Sequence, residues 1–438
     1  MTDSHPCAGQ PEFTCSMLTV PLDHHGRTPG SLKLQVAVAD NANAPKGVLL
    51  FLTGGPGQPG VPAITRLAGQ RLPEIAANYR FAMIDQRGTG DFGAINCPQL
   101  QAQMGSSDIA TPTRGAVREC AGILGNTAGL YGTDQTVADF DLFRQALGAK
   151  KITVDGVSYG SFTAARYAIA YPRNTQAIVL DSVVPHHITP TDSLYLAGLR
   201  GQARVLRDAC TAAPACGFDP ADDLAQVVRG RSVADGVRIF DMIVSYEFED
   251  PTYRQPNLPG LPPGVGDLIG SLHAARTGKP AQLDALLTAF ASGGDPVNRF
   301  SSGLHAATLC ADMRFPWGSS ATPEWIRPFL LTLTEKSLKR GDVWPYTPAV
   351  AVNQGFIQSC LPWPAERAVP NPADPLPNVP TLMVNGDHDL STPLEWAEKE
   401  IPLAPHGKFV IVKGASHSIQ NRERGHAGRD AVINFLNG

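Results

Sequence analysis

Several features are missing from this chain, and each absence excludes a class of function. No apolar run approaches the roughly 18 residues of a membrane-spanning helix. Charged residues make up only 17% of the 438 residues and leave a net charge of −4. That balance offers nothing to draw the chain to nucleic acid or an anionic membrane surface. There is no Cys-x-x-Cys, no zinc-type spacing and no Gly-Lys-Ser/Thr after a glycine-rich turn. The chain is therefore read as needing no metal or cofactor and binding neither nucleic acid nor membrane. Internal repeats and low-complexity tracts are absent too. The start, Met1-Thr2-Asp3-Ser4-His5-Pro6, has neither the charged nor the apolar region of a secretion signal.

Cysteine points the other way. The eight cysteines fall in sequence-local couples, Cys7 with Cys15, Cys97 with Cys120 and Cys210 with Cys216, leaving Cys310 and Cys360. An even, couple-wise distribution predicts disulfides and an oxidising compartment. Proximity sets the first three pairs and elimination the fourth, Cys310–Cys360. The alternative is a set of buried thiols in a cytosolic enzyme. If the disulfides form, the protein is secreted or extracytoplasmic, a secretion signal has been lost and Met1 is an added start.

A hydrophobic content of 43% supplies an ample core. At this length, one α/β core with a large insertion fits as well as two domains. The chain is organised around Ile152-Thr153-Val154-Asp155-Gly156-Val157-Ser158-Tyr159-Gly160-Ser161. A β-branched run reads as a buried strand, and the alanine-rich stretch from Phe162 to Ala170 reads as a helix ending before Pro172. Between them lies Gly-x-Ser-x-Gly, which in that context is a nucleophile elbow. Its serine sits at a strained apex at a helix N-terminus, where free N–H groups favour developing negative charge.

Residues 12–20 and 31–39 read as the first two strands, and Val48–Leu52 as a central strand covered on both faces. That strand runs into Thr53-Gly54-Gly55-Pro56-Gly57, a backbone anion site with the Gly55 N–H aimed at an oxyanion. Phe81–Ile84 is the next strand. The Asp85-Gln86-Arg87 that follows is read as a buried structural Asp–Arg pair. Thr136–Leu147 is expected as a helix with Thr136 as N-cap and Asp139 three residues on. Ala177–Asp181 is a further parallel strand.

From about Val184 the strand–helix rhythm stops. Residues 185–372 show helical patterns (194–212, 232–245, 281–290 and 323–338) broken by Pro-rich loops, and read as a mainly helical lid. The core comprises 1–184 and 373–438, with its last strands at Thr381–Asn385 and Lys408–Val412. Those strands end in Gly386-Asp387-His388-Asp389 and Gly414-Ala415-Ser416-His417. A serine nucleophile needs a base, and the base needs an acid to fix its tautomer. Ser158, Asp389 and His417 supply the three. Asp387 is the rival acid, more suited to capping the turn. His388 is expected to be exposed, and His24-His25 and His186-His187 are read as surface residues.

These motifs, with Val20-Pro21-Leu22-Asp23 and Cys310-Ala311-Asp312, make the chain resemble serine exopeptidases of the prolyl aminopeptidase and tripeptidyl aminopeptidase family. The likeness runs over nearly the whole chain, and the cysteines look like those of the secreted tripeptidyl branch. One departure is Thr53, where many relatives have His or Pro before Gly-Gly-Pro-Gly. The resemblance implies an α/β-hydrolase fold with a mostly parallel, eight-stranded sheet flanked by helices and a lid inserted after the sixth strand. It also implies a peptide substrate cleaved near a free N-terminus. Ser158 would attack, His417 would carry the proton, Asp389 would orient His417, and the Gly55 and Tyr159 N–H groups would hold the oxyanion. An aminopeptidase needs a carboxylate for the substrate ammonium, and Asp312, then Glu247 of the Glu247–Glu249–Asp250 cluster, are the candidates. An esterase or amidase using the same triad, and a silent binding protein on this fold, remain open alternatives, as does the oligomeric state.

Overall fold

Every residue of Val48–Leu52 is buried, because helices cover both faces of the sheet in which this strand is central. Leu50 and Leu52 meet Val137, Phe140, Ala164 and Ala168 on one face. Leu49 and Phe51 meet Leu67, Ile75, Val432 and Leu436 on the other. The structure is a computed structural model and describes residues 1–211 and 215–438. Its strands are β1 (Thr2–Cys7), β2 (Gln10–Pro21), β3 (Ser31–Ala39), β4 (Val48–Leu52), β5 (Arg80–Ile84), β6 (Ile152–Val157), β7 (Thr175–Asp181), β8 (Thr381–Gly386) and β9 (Gly407–Val412). They form one sheet in the order β1-β2-β3-β5-β4-β6-β7-β8-β9. The first four in that order pair antiparallel and the rest parallel. This is an α/β-hydrolase architecture with a nine-stranded sheet. The strand beyond the expected eight is β1, which pairs along β2 next to the Cys7–Cys15 disulfide. Only its Cys7 is buried, so Thr2–Cys7 carries no apolar alternation to announce a strand. With β1 counted, the lid follows the seventh strand.

The helices used below are α1 (Thr133–Ala146), α2 (Tyr159–Ala170), α3 (Val233–Tyr246), α4 (Ser302–Asp312) and α5 (Ala427–Asn437). α1 and α2 cover one face of the sheet and α5 the other. Between β7 and β8 the described residues are helical. Helices Leu196–Ala209, Ala281–Ala289 and Arg327–Ser337 fall where the periodicity places them. The first ends at Ala209; the expected end, Ala212, lies outside the described residues. The lid core also takes in an earlier stretch, with Leu100, Met104, Val117 and Cys120 packing among Leu304, Leu309 and Phe356. Helices Pro98–Met104 and Arg114–Leu124 therefore belong physically to the lid. Four disulfides close as Cys7–Cys15, Cys97–Cys120, Cys210–Cys216 and Cys310–Cys360. No helix among the described residues is long and apolar enough to cross a membrane.

The expected Asp85–Arg87 pair is replaced by another. Arg87 is fully buried and donates to both oxygens of Asp139, at 2.7 and 2.8 Å, and to the carbonyls of Pro21, Leu22 and Leu130. Asp139 is free for this because α1 begins at Thr133 with Gly132 as N-cap, which puts Asp139 in the helix interior. Asp85 instead accepts from the Val61 N–H at 2.8 Å, and burial pushes its carboxyl up to about 7. His24 Nε2 lies 2.7 Å from Asp139 Oδ1, which accepts from it, and His186 is buried against Glu400 at 2.6 Å. Neither is the surface histidine that its neighbours in sequence suggest. Removing one partner of a fully buried pair leaves an uncompensated charge. Asp139→Asn should therefore lower unfolding stability by about 3–5 kcal/mol, measured by denaturant titration.

Candidate active site

β6 delivers the chain into Ser158, which holds φ 61° and ψ −130° before α2 begins. A non-glycine residue rarely adopts this conformation, and the surrounding main chain enforces it. The Ser158 N–H donates to the Asp181 carbonyl at 2.8 Å, and the Ser161 N–H donates to the Ser158 carbonyl at 2.8 Å. A Cβ on Gly156 would lie 2.0 Å from the Gly160 oxygen, and one on Gly160 2.5 Å from the Leu52 oxygen. The two glycines of the motif are the cost of letting strand and helix pass this closely.

The candidate acid and base, Asp389 and His417, lie on the loops after β8 and β9. His417 Nδ1 lies 3.1 Å from both oxygens of Asp389, so a proton there is donated to Asp389 and Nε2 is left as the base. Asp389 is fully buried and also accepts from the Thr392 N–H at 2.7 Å and hydroxyl at 2.8 Å. Asp387 plays no part in this. Its carboxylate accepts from the Gly414 N–H at 2.6 Å and ties the two loops together. The loop after His417 is pinned by Asp181, which accepts from the Ile419 and Gln420 N–H groups at 3.0 and 2.8 Å. Burial alone would push the His417 imidazole down, but the Asp389 carboxylate outweighs it and raises the value above the ordinary 6.5. His388 is buried and sits between the Pro251 carbonyl and Asp208, both at 2.7 Å, contrary to the exposed position expected for it.

Both residues nominated for the substrate ammonium are enclosed by the fold. Asp312, at the end of α4, accepts from the Thr133 N–H at 3.1 Å and from the Tyr159 hydroxyl at 2.5 Å. Glu247, at the end of α3, accepts from the Leu390 N–H, the Ser391 N–H and the Ser391 hydroxyl, all at 2.8 Å. Both are fully buried and neither lines the cleft. Burial, and then the Asp389 charge, push the Glu247 carboxyl up to about 8. The two residues brace the site instead: Asp312 holds the residue after the nucleophile, and Glu247 holds the turn carrying the triad acid. Glu247, Asp389 and His417 bring donor atoms within 4.8 Å of one another. Hydrogen bonds within the protein already use the oxygens and Nδ1 of this group.

α4 also reaches the glycine-rich loop. The Ser301 N–H donates to the Gly57 carbonyl at 3.0 Å, and His305 Nδ1 lies 2.8 Å from the Pro56 carbonyl. Gly55 has φ +111°, and a Cβ there would meet the Gly57 nitrogen at 2.7 Å. Among the described residues, no acceptor within the protein takes the Gly55 or Tyr159 N–H. Ser158, His417 and Gly55 line one cleft of about 890 Å3. Its carboxylates are Asp108, Asp241, Asp295 and Glu249. His305 and Thr133 had no sequence signal, because each acts through a partner distant in the chain.

A family model described as alpha/beta hydrolase fold matches residues 47–220, and one described as TAP-like protein matches residues 348–438. A tripeptidyl aminopeptidase of Streptomyces lividans is 30% identical over 188 residues, 39% of this chain and 35% of that protein. Serine protease Hip1 of Mycobacterium tuberculosis is 31% identical over 197 residues, 41% of this chain and 37% of that protein. The matched region thus spans little more than a third of these relatives' length. Among solved structures, an esterase from Exiguobacterium antarcticum aligns over 93% of this chain and 96% of its own, with TM-score 0.42 and 13% identity.

Two outcomes are expected. The base must be neutral to act, so kcat/KM should fall as pH drops through the raised His417 value, with the midpoint of the acid limb above 6.5. Asp312→Asn should lower kcat/KM about tenfold, to the same degree on a free peptide and its N-acetylated twin. It loosens the residue after Ser158, and complete loss of an oxyanion donor costs about 100- to 1,000-fold.

Proposed function

The chain belongs to the α/β-hydrolase family, and we propose that it is an extracytoplasmic serine exopeptidase that releases tripeptides, similarly short peptides or single residues from free peptide N-termini. One observation carries the reading: a strained Ser158 and an Asp389-oriented His417 open onto one cleft, in a chain whose C-terminal region is TAP-like. The four disulfides support an oxidising compartment.

His417 Nε2 takes the Ser158 hydroxyl proton as Oγ attacks the scissile carbonyl. The carbonyl oxygen becomes an oxyanion, received by the Gly55 and Tyr159 N–H groups. Its collapse breaks the C–N bond, and His417 gives its proton to the departing amine. Water then repeats the sequence on the acyl-enzyme, and the N-terminal fragment leaves as an acid. With Asp312 and Glu247 enclosed, the substrate ammonium falls to a carboxylate of the cleft wall. Asp108 suits this role: it is part exposed in the cleft, and Oδ1 lies 2.9 Å from His305 Nε2.

The test pairs a fluorophosphonate probe with tripeptidyl, aminoacyl and p-nitrophenyl ester reporters. Labelling and peptide turnover should both vanish in Ser158→Ala, by several orders of magnitude in rate. Asp108→Asn should reduce kcat/KM on the free tripeptide reporter by about 10- to 100-fold and leave the N-acetylated one little changed. Turnover of the ester alone would make the protein an esterase. No labelling at all would leave a binding protein on this fold.

A further inference from the structure

Charges of both signs line the cleft. Asp108, Asp295 and Arg299 belong to two lining segments, 104–109 and 290–299, which Asp241 joins by accepting from Ser107 and Ser292 and Asp295 by accepting from the Ser106 N–H. Arg66 and Arg422 line the cleft near His417, together with Glu249. Arg66 Nη2 donates to the Asn421 carbonyl at 2.6 Å. The Arg422 guanidinium lies 4.5 Å over the Phe248 ring, and Phe248 in turn sets its edge against the His417 imidazole with centroids 5.6 Å apart. Among the described residues, no carboxylate comes within ion-pair distance of either guanidinium. The surrounding protein, and then the charge of Arg66, hold Arg422 below its ordinary value. Arg66 and Arg422 repel each other while Glu247 and Glu249 pull the other way, and an anion seated between the two guanidinium groups relieves the repulsion directly.

The chemistry fixes which part of the substrate meets them. His417 must hand its proton to the leaving nitrogen, so the leaving peptide lies on the His417 side of Ser158. Arg422 is one aromatic ring away on that same side. Arginine forks match carboxylates in shape and charge, and Phe248 holds one of them flat. Resting on the exopeptidase reading above, the geometry points to Arg66 and Arg422 as a binding pair for a carboxylate in the leaving part of the peptide. That carboxylate is either the C-terminus of a short substrate or an acidic side chain just beyond the scissile bond. Short zwitterionic peptides then fit the cleft lengthwise, ammonium toward Asp108 and carboxylate toward the arginines.

Three peptides sharing the same N-terminal tripeptide test this. The leaving dipeptide ends in a free carboxylate, in a carboxamide, or in a carboxamide with Glu as its last residue. On wild type, kcat/KM should favour a carboxylate-bearing peptide over the neutral one by at least about tenfold, and added salt should shrink the ratio. Arg66→Gln and Arg422→Gln should each reduce the ratio, and the double variant should bring it close to one. The ratio is internal to each preparation, so partial loss of folded protein does not affect it. Preference for the free C-terminus alone identifies short peptides as the substrates, and preference for both forms adds acidic side chains. Equal rates for all three peptides on wild type, or a ratio unchanged in the double variant, overturn the arginine pair and leave the exopeptidase standing. Failure to cleave any of them, in protein that labels at Ser158, overturns both.

Discussion

Ser158 can hold its conformation only while β4, β6, β7 and α2 keep their mutual distances, and the rest of the site is built on that requirement. The Ser158 N–H is fixed to the end of β7, and Gly160 lies against the end of β4. The same edge of the parallel sheet supplies Gly55 after β4, Asp389 after β8 and His417 after β9. Parallel pairing brings loops that are distant in sequence to one edge, where a nucleophile, an acid, a base and main-chain donors can meet. Asp181, at the end of β7, bonds the loop following the base, so one strand end steadies two members of the triad.

Buried carboxylates do most of the bracing around this edge. Asp139 neutralises Arg87, which gathers three main-chain carbonyls from two loops. Asp312 joins α4 to Thr133 at the start of α1 and to Tyr159 at the start of α2. Glu247 joins α3 to the turn that carries Asp389. Each carboxylate collects several donors, and that is the condition under which its burial is tolerated. The lid is therefore part of the catalytic frame as well as a wall of the cleft.

Much of this was legible in the residues themselves. The β-branched run, Gly-x-Ser-x-Gly and the alanine-rich helix constrain one another locally, and the two C-terminal strands end in the acid and base. The pairing partners of the buried charges were not legible. Arg87 sits two residues from Asp85, yet its partner is Asp139, because the N-cap of α1 is Gly132, four residues before Thr136, which leaves Asp139 in the helix interior and not in a capping position. Asp312 and Glu247 read as lid carboxylates facing the substrate, because nothing local shows that Thr133, Tyr159 and Leu390 will fold onto them. β1 escaped notice because its pairing is held by the main chain and a disulfide, with almost no apolar surface of its own. The contribution of residues 95–131 to the lid core was hidden for the same reason, since packing between distant helices leaves no periodic mark.

The attachment of α4 has one more consequence. Its N-terminal end is bonded to the carbonyls of Pro56 and Gly57, and its C-terminal end to the elbow tyrosine. Swinging this helix clear as a rigid flap would pull on the glycine-rich loop and on Tyr159, whose N–H groups are proposed to receive the oxyanion. The wall that this helix forms is thus fixed to the same main-chain groups that Ser158 faces, and the fold sets the width of the cleft there.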